Sequence, residues 1–174
     1  MTDQGRPAGG QAIALRWASR MDPGNLLYGT IVATAALAVG ASRGETAADM
    51  TETMATTLIV YWLAHIYIAT VRERPTGGAT PLPRLMWHAA KNEASILAGG
   101  MPEVLVASAL AVVGVSLWLS VLLDLGIAIV VLVLVGLLAG LQAGVHGWRL
   151  GAEALTAAVL GGILAALLVS LHQH

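Results

Sequence analysis

Cysteine and phenylalanine are absent from this 174-residue chain, lysine occurs once, and only 11% of the residues are charged. Without cysteine there is no disulfide, no thiolate metal ligand and no cysteine nucleophile. Soluble domains carry about 25% charged residues, so the shortage of charge argues against an ordinary soluble fold. A net charge of −1 gives no reason to expect a nucleic-acid partner. No HExxH, GxSxG or phosphate-loop motif occurs, and His65, His88 and His146 are scattered rather than grouped at ligand spacing. No catalytic residue, metal site or cofactor is therefore expected, and an intramembrane enzyme is the weakest of the readings that follow.

Hydrophobic residues make up 57% of the chain, and the mean hydropathy is +0.77. The apolar residues collect in five stretches without Asp, Glu, Lys or Arg: 24–42, 53–71, 104–123, 125–145 and 154–171. A helix rises about 1.5 Å per residue, so about 20 apolar residues cross a hydrocarbon core of about 30 Å. Only Asp124 separates the third and fourth stretches, and a helix hairpin needs about 2–5 loop residues. The turn is expected within residues 120–126, which moves the third span to about 100–121. The fold class expected is all-α: a polytopic membrane bundle of five transmembrane helices plus short amphipathic interfacial helices, in one integral membrane domain over residues 1–174. Basic residues ahead of the first stretch, and Ala38-Val39-Gly40 within it, imitate a signal peptide, but the stretch is read as a span.

Charge sets the orientation. With the N-terminus cytoplasmic, Arg6, Arg16, Arg20, Arg72, Arg74, Arg84, Lys91 and Arg149 fall inside and only Arg43 outside, a positive-inside pattern. Five crossings then leave the C-terminus, with His172 and His174, outside. Residues 11–21 read as a short interfacial helix with Trp17 at headgroup depth. Asp22-Pro23 supplies an N-cap and a first helical residue for the first span. Three prolines and two glycines make residues 72–83 irregular. Residues 82–99 are amphipathic, either a surface helix or the start of the third span. Accordingly Glu103 either lies inside the membrane boundary or, behind Pro102, caps the first turn of that span. Asp124 reads as a turn residue.

Small residues recur at four-residue spacing: Thr30, Thr34, Ala38 and Ser42 in the first span, Gly136, Gly140 and Gly144 in the fourth, and Ala154, Ala158, Gly162, Ala166 and Ser170 in the fifth. Such faces let helix backbones approach closely. One stripe fits a monomeric bundle; several favour a homo-oligomer.

The second span carries a polar stripe, Thr53, Thr57, Tyr61 and His65, flanked by Glu52 and Thr56. His65 lies about 10 Å from Arg72 along a helix, and an ionisable group at depth is a functional hypothesis by default. Imidazole changes charge near neutral pH, so the stripe reads as an ion or proton path with Glu52 and Glu103 at its two mouths. Gln142, His146 and Glu93 are possible polar groups at the inner mouth. The plainer alternative is a structural seam in which Thr, Tyr and His bond their own or neighbouring helices.

The run Tyr61-Trp62-Leu63-Ala64-His65-Ile66-Tyr67, followed by Arg72-Glu73-Arg74, resembles a pattern in small multi-span integral membrane proteins of GC-rich bacteria. The resemblance implies a bacterial plasma (inner) membrane and carries no activity. The function expected is a small oligomeric ion- or proton-conducting protein. The alternative is a non-catalytic scaffold or accessory subunit binding other membrane subunits. Lipid is the expected surroundings in both.

Overall fold

In the computed structural model, residues 22–43, 46–73, 81–145 and 147–152 are described, with 155, 156, 159, 162 and 163 besides. They are helical, and four helices are long and apolar enough to cross a membrane: α1 (Pro23–Ser42), α2 (Ala47–Arg72), α4 (Ala94–Val113) and α5 (Leu117–Gln142). A shorter helix, α3 (Leu82–Asn92), precedes α4. The protein is a helical membrane bundle. The interfacial segment 11–21 and most of the fifth stretch, 154–171, lie outside the described residues.

The first span begins where its sequence signals place it. Asp22 accepts the Gly24 N–H at 2.9 Å, and Pro23 occupies the first turn. α2 starts with a capping box: the Thr46 hydroxyl accepts from the Asp49 N–H, and the Asp49 carboxylate accepts from the Thr46 N–H, each at 3.2 Å. These bonds satisfy two donors that a helix N-terminus otherwise leaves open. Thr46→Ala is expected to lower stability by about 1 kcal/mol, read as a lower melting temperature in detergent.

Two boundaries correct the expectations. α4 starts at Ala94, so residues 82–99 divide into a separate α3 and the first turns of a span, and Pro102 lies inside the helix rather than opening it. Glu103 is therefore well within α4. The turn to α5 lies at residues 114–116, not within 120–126. Gly114, at φ 74°, takes the left-handed conformation that stops the helix, and the Gly114 and Val115 N–H groups bond back to Ala111 and Leu110. Ser116 caps α5. Asp124 is thus not a turn residue but sits two turns inside α5. The same stop ends α5: Gly144 has φ 71°, and the Gly144 and Val145 N–H groups bond to Leu141 and Gly140. Gly144 is consequently a helix terminator and not part of a packing face. Gly140 is buried within the chain and Gly136 half-buried; Gly162 is exposed, and Ala158 lies outside the described residues.

α1 occupies the middle, packing against α4 most extensively and against α2 and α5. Contacts pair Leu26 with Gly99 and Thr34 with Glu103, so α1 and α4 run parallel. Leu37, Met50, Met54, Ala107 and Val121 form the apolar core toward the α4–α5 turn. Lower down, α1 and α4 nearly touch. A Cβ built on Gly29 would collide with the Ile96 carbonyl, one on Gly99 with the Leu26 carbonyl, and one on Gly100 with Leu58 and the Gly29 carbonyl. With little hydrophobic drive between helices in lipid, such approach supplies association energy.

Candidate functional site: a buried carboxyl pair

The seam between α1 and α4 is polar from the start of both helices to the level of Thr34 and Glu103. The Asp22 N–H donates to Ser95 Oγ at 3.3 Å, and Asn25 Nδ2 donates to Glu93 Oε2 at 2.9 Å. The Thr30 hydroxyl is shared between the Leu26 and Gly99 carbonyls at 3.1 and 3.0 Å. One turn on, the Thr34 hydroxyl lies 2.9 Å from the Thr30 carbonyl and 3.0 Å from Glu103 Oε2. The close glycine contacts below allow these short side chains to reach across.

Glu103 is 0% exposed and Asp124, on α5, 1%. Asp124 stands near enough to act on Glu103 electrostatically. Counting helix rise from the ends beside the 114–116 turn, Asp124, Thr34 and Glu103 lie about 10, 12 and 15 Å deep. They share one level of the bundle. Ser120, one turn before Asp124, is 3% exposed. Glu103 Oε1, both Asp124 carboxyl oxygens and Ser120 Oγ have no hydrogen-bond partner. Four buried oxygens in this half of the bundle are thus left unmatched. In native structures the great majority of such atoms are satisfied, and a charge in the apolar part of a membrane is costly and marks function. Oxygen donors suit a proton or a hard cation rather than a soft metal. No group of three or more His, Asp or Glu is arranged to hold a metal ion among the described residues.

No protein-family model matches the chain, and no curated protein or solved structure is detectably similar to it.

The second-helix stripe divides in two. Glu52 and Thr57 are exposed and Thr53 half-buried; with Asp49 and Thr56 they line an open groove of about 410 Å³ on the outside of the bundle. Tyr61 and His65 are half-buried and stack, with ring centroids 4.6 Å apart, while Tyr28 of α1 closes a three-ring cluster at 6.5 and 5.9 Å from them. Glu52 and Glu103 do not stand at two mouths of one path: Glu52 faces outward and Glu103 lies in the core, because Pro102 is not the helix start. Of the inner-mouth group, Glu93 is half-buried and bonded to Asn25, Gln142 ends α5 exposed, and His146 lies outside the described residues. Of the small-residue stripe of α1, Thr30 and Thr34 are buried against α4, Ala38 is half-buried and Ser42 exposed.

Sequence reasoning missed the partnership of Thr34, Ser120 and Asp124. Gly114 followed by Ser116, a stop and a cap inside an apolar run, is the signal that would have placed Asp124 inside a helix.

Proposed function

We propose that the chain is a small membrane protein that moves protons or small hard cations across the bilayer, with Glu103 and Asp124 as the groups that take up and release the charge. The observation that carries this reading is the carboxyl pair at one depth, three of whose four oxygens have no partner. A fixed pair of charges there would be costly; a mobile proton or cation compensates it. The Thr34 hydroxyl supports the proton form. It has one hydrogen and two oxygen neighbours, the Thr30 carbonyl and Glu103 Oε2. Both contacts are full hydrogen bonds when Glu103 carries a proton and donates it to Thr34.

The eight cations on one side of the spans support a cytoplasmic N-terminus. The outward groove of Asp49, Glu52, Thr56 and Thr57 favours assembly with further copies, because polar groups on a spanning helix gain by facing protein rather than lipid. A bacterial plasma membrane remains the location that fits the composition.

Reconstitution into vesicles with an entrapped pH dye, under an imposed membrane potential, tests the reading. Wild type is expected to pass protons or sodium. Glu103→Gln and Asp124→Asn are expected to cut the flux by about tenfold or more, and Glu52→Gln by less than about twofold. If flux depends on Glu52 and His65 but not on Glu103, the path follows α2 instead. Absence of flux for any monovalent cation, with a membrane subunit co-purifying at fixed ratio, would leave the scaffold reading in its place.

A further inference from the structure

A second polar site stands at the other end of the bundle, where α2 leaves its apolar span. His65, Ile68, Ala69, Arg72 and Glu73 of that end, with Glu93 from the α3–α4 junction, line a pocket of about 230 Å³. Its charged groups are of both signs, the Arg72 guanidinium against the Glu73 and Glu93 carboxylates, and the His65 imidazole adds a ring N–H donor. Ile68 and Ala69 supply an apolar wall.

The site is held in shape by neighbours that do not line it. Asn25 donates to Glu93 Oε2 at 2.9 Å, which fixes this carboxylate and engages only one of its oxygens. The His65 ring is packed against Tyr61 and Tyr28, and its Nδ1 is buried without a hydrogen-bond partner. α3, which packs on α2, carries Trp87 mostly exposed with the Lys91 ammonium 4.9 Å from its ring centre. A Trp and a Lys on an amphipathic helix at the end of a span are the side chains found at headgroup level.

A pocket with two donors that bind phosphate and two carboxylates that bind ammonium matches a ligand carrying both charges. Guanidinium engages phosphate oxygens in pairs. Carboxylates accept N–H bonds from a primary ammonium, which a quaternary ammonium cannot offer. The volume is below the roughly 300–1,000 Å³ of drug-sized sites, so it suits a headgroup and not acyl chains. We propose that this pocket binds a phosphate joined to a primary amine, the phosphoethanolamine group, with Arg72 and His65 on the phosphate and Glu73 and Glu93 on the amine. The aminophospholipid headgroup is the membrane source of that chemistry; glycerophosphoethanolamine is the soluble source. The assignment does not depend on the carboxyl pair.

Native mass spectrometry of delipidated protein, titrated with short-chain phosphatidylethanolamine, phosphatidylcholine and phosphatidylglycerol, reads the preference directly. Phosphatidylethanolamine is expected to bind about tenfold more tightly than the other two. Arg72→Gln and Glu73→Gln, both at the exposed end of α2, are expected to erase the preference, while Arg84→Gln on α3 leaves it intact. Competition by glycerophosphoethanolamine at equal strength keeps the assignment and moves the source to solution; failure to compete assigns it to the lipid. Equal binding of the three lipids, or an undiminished preference in both α2 variants, overturns it.

Discussion

Gly99→Ala is expected to be among the most damaging single-methyl additions in the chain, lowering stability by about 3 kcal/mol. The added Cβ meets the Leu26 carbonyl, and backbone cannot turn aside as a side-chain tip can. α1 and α4 must then separate, lengthening the Thr30–Gly99 and Thr34–Glu103 bonds along the same seam. Gly29→Ala acts from the opposite wall, against the Ile96 carbonyl, and is expected to cost as much. Gly126 of α5 is the control, since a Cβ there has nothing within contact distance. Its replacement by Ala is expected to be neutral or stabilising by up to about 1 kcal/mol, because Ala favours helix over Gly. Thermal unfolding in detergent compares the three. Equal melting temperatures for Gly99→Ala and Gly126→Ala would show that α1 and α4 are not in backbone contact.

Asp124→Ala is expected to move stability the other way, raising it by about 1–2 kcal/mol. Burying a polar group without a partner costs about 1–3 kcal/mol, and both Asp124 oxygens are in that condition. The void left by the shortened side chain offsets part of the gain. A chain that keeps such a residue at the expense of stability does so where activity requires it. On the function proposed above, the variant is expected to be the more heat-resistant protein and the poorer conductor of charge. A destabilised Asp124→Ala would mean that the carboxylate is held by a structural partner and that its burial is architectural.

The sequence made the class of fold legible because span length and absence of charge are set by the thickness of the bilayer, a constraint each helix meets by itself. The start of α1 was readable for a similar reason: Asp22 and Pro23 act within one turn. The sequence alone misplaces the α4–α5 turn, because a single acid in an apolar run reads as the loop. The chain instead turns on Gly114, and the acid goes into the core. The α1–α4 contact was hidden because it joins residues about seventy apart in the chain: Gly29 with Ile96, Thr34 with Glu103. A pattern along one helix reports which residues share a face, but not which face of another helix that surface meets. For the same reason the sequence shows the α2 stripe to be polar, yet its division into an open groove and a half-buried ring cluster with Tyr28 required the neighbours.

The glycine seam also decides which parts can move. α1 and α4 interlock backbone to backbone, so neither can slide or roll without collision, and they form one stiff wall carrying Glu103. α5 bears Asp124 and meets that wall through side chains such as Val121, without a glycine-to-backbone contact. A motion that brought water to the acids would leave this wall whole and part it from α5 or α2, as a shutter swings against a fixed jamb.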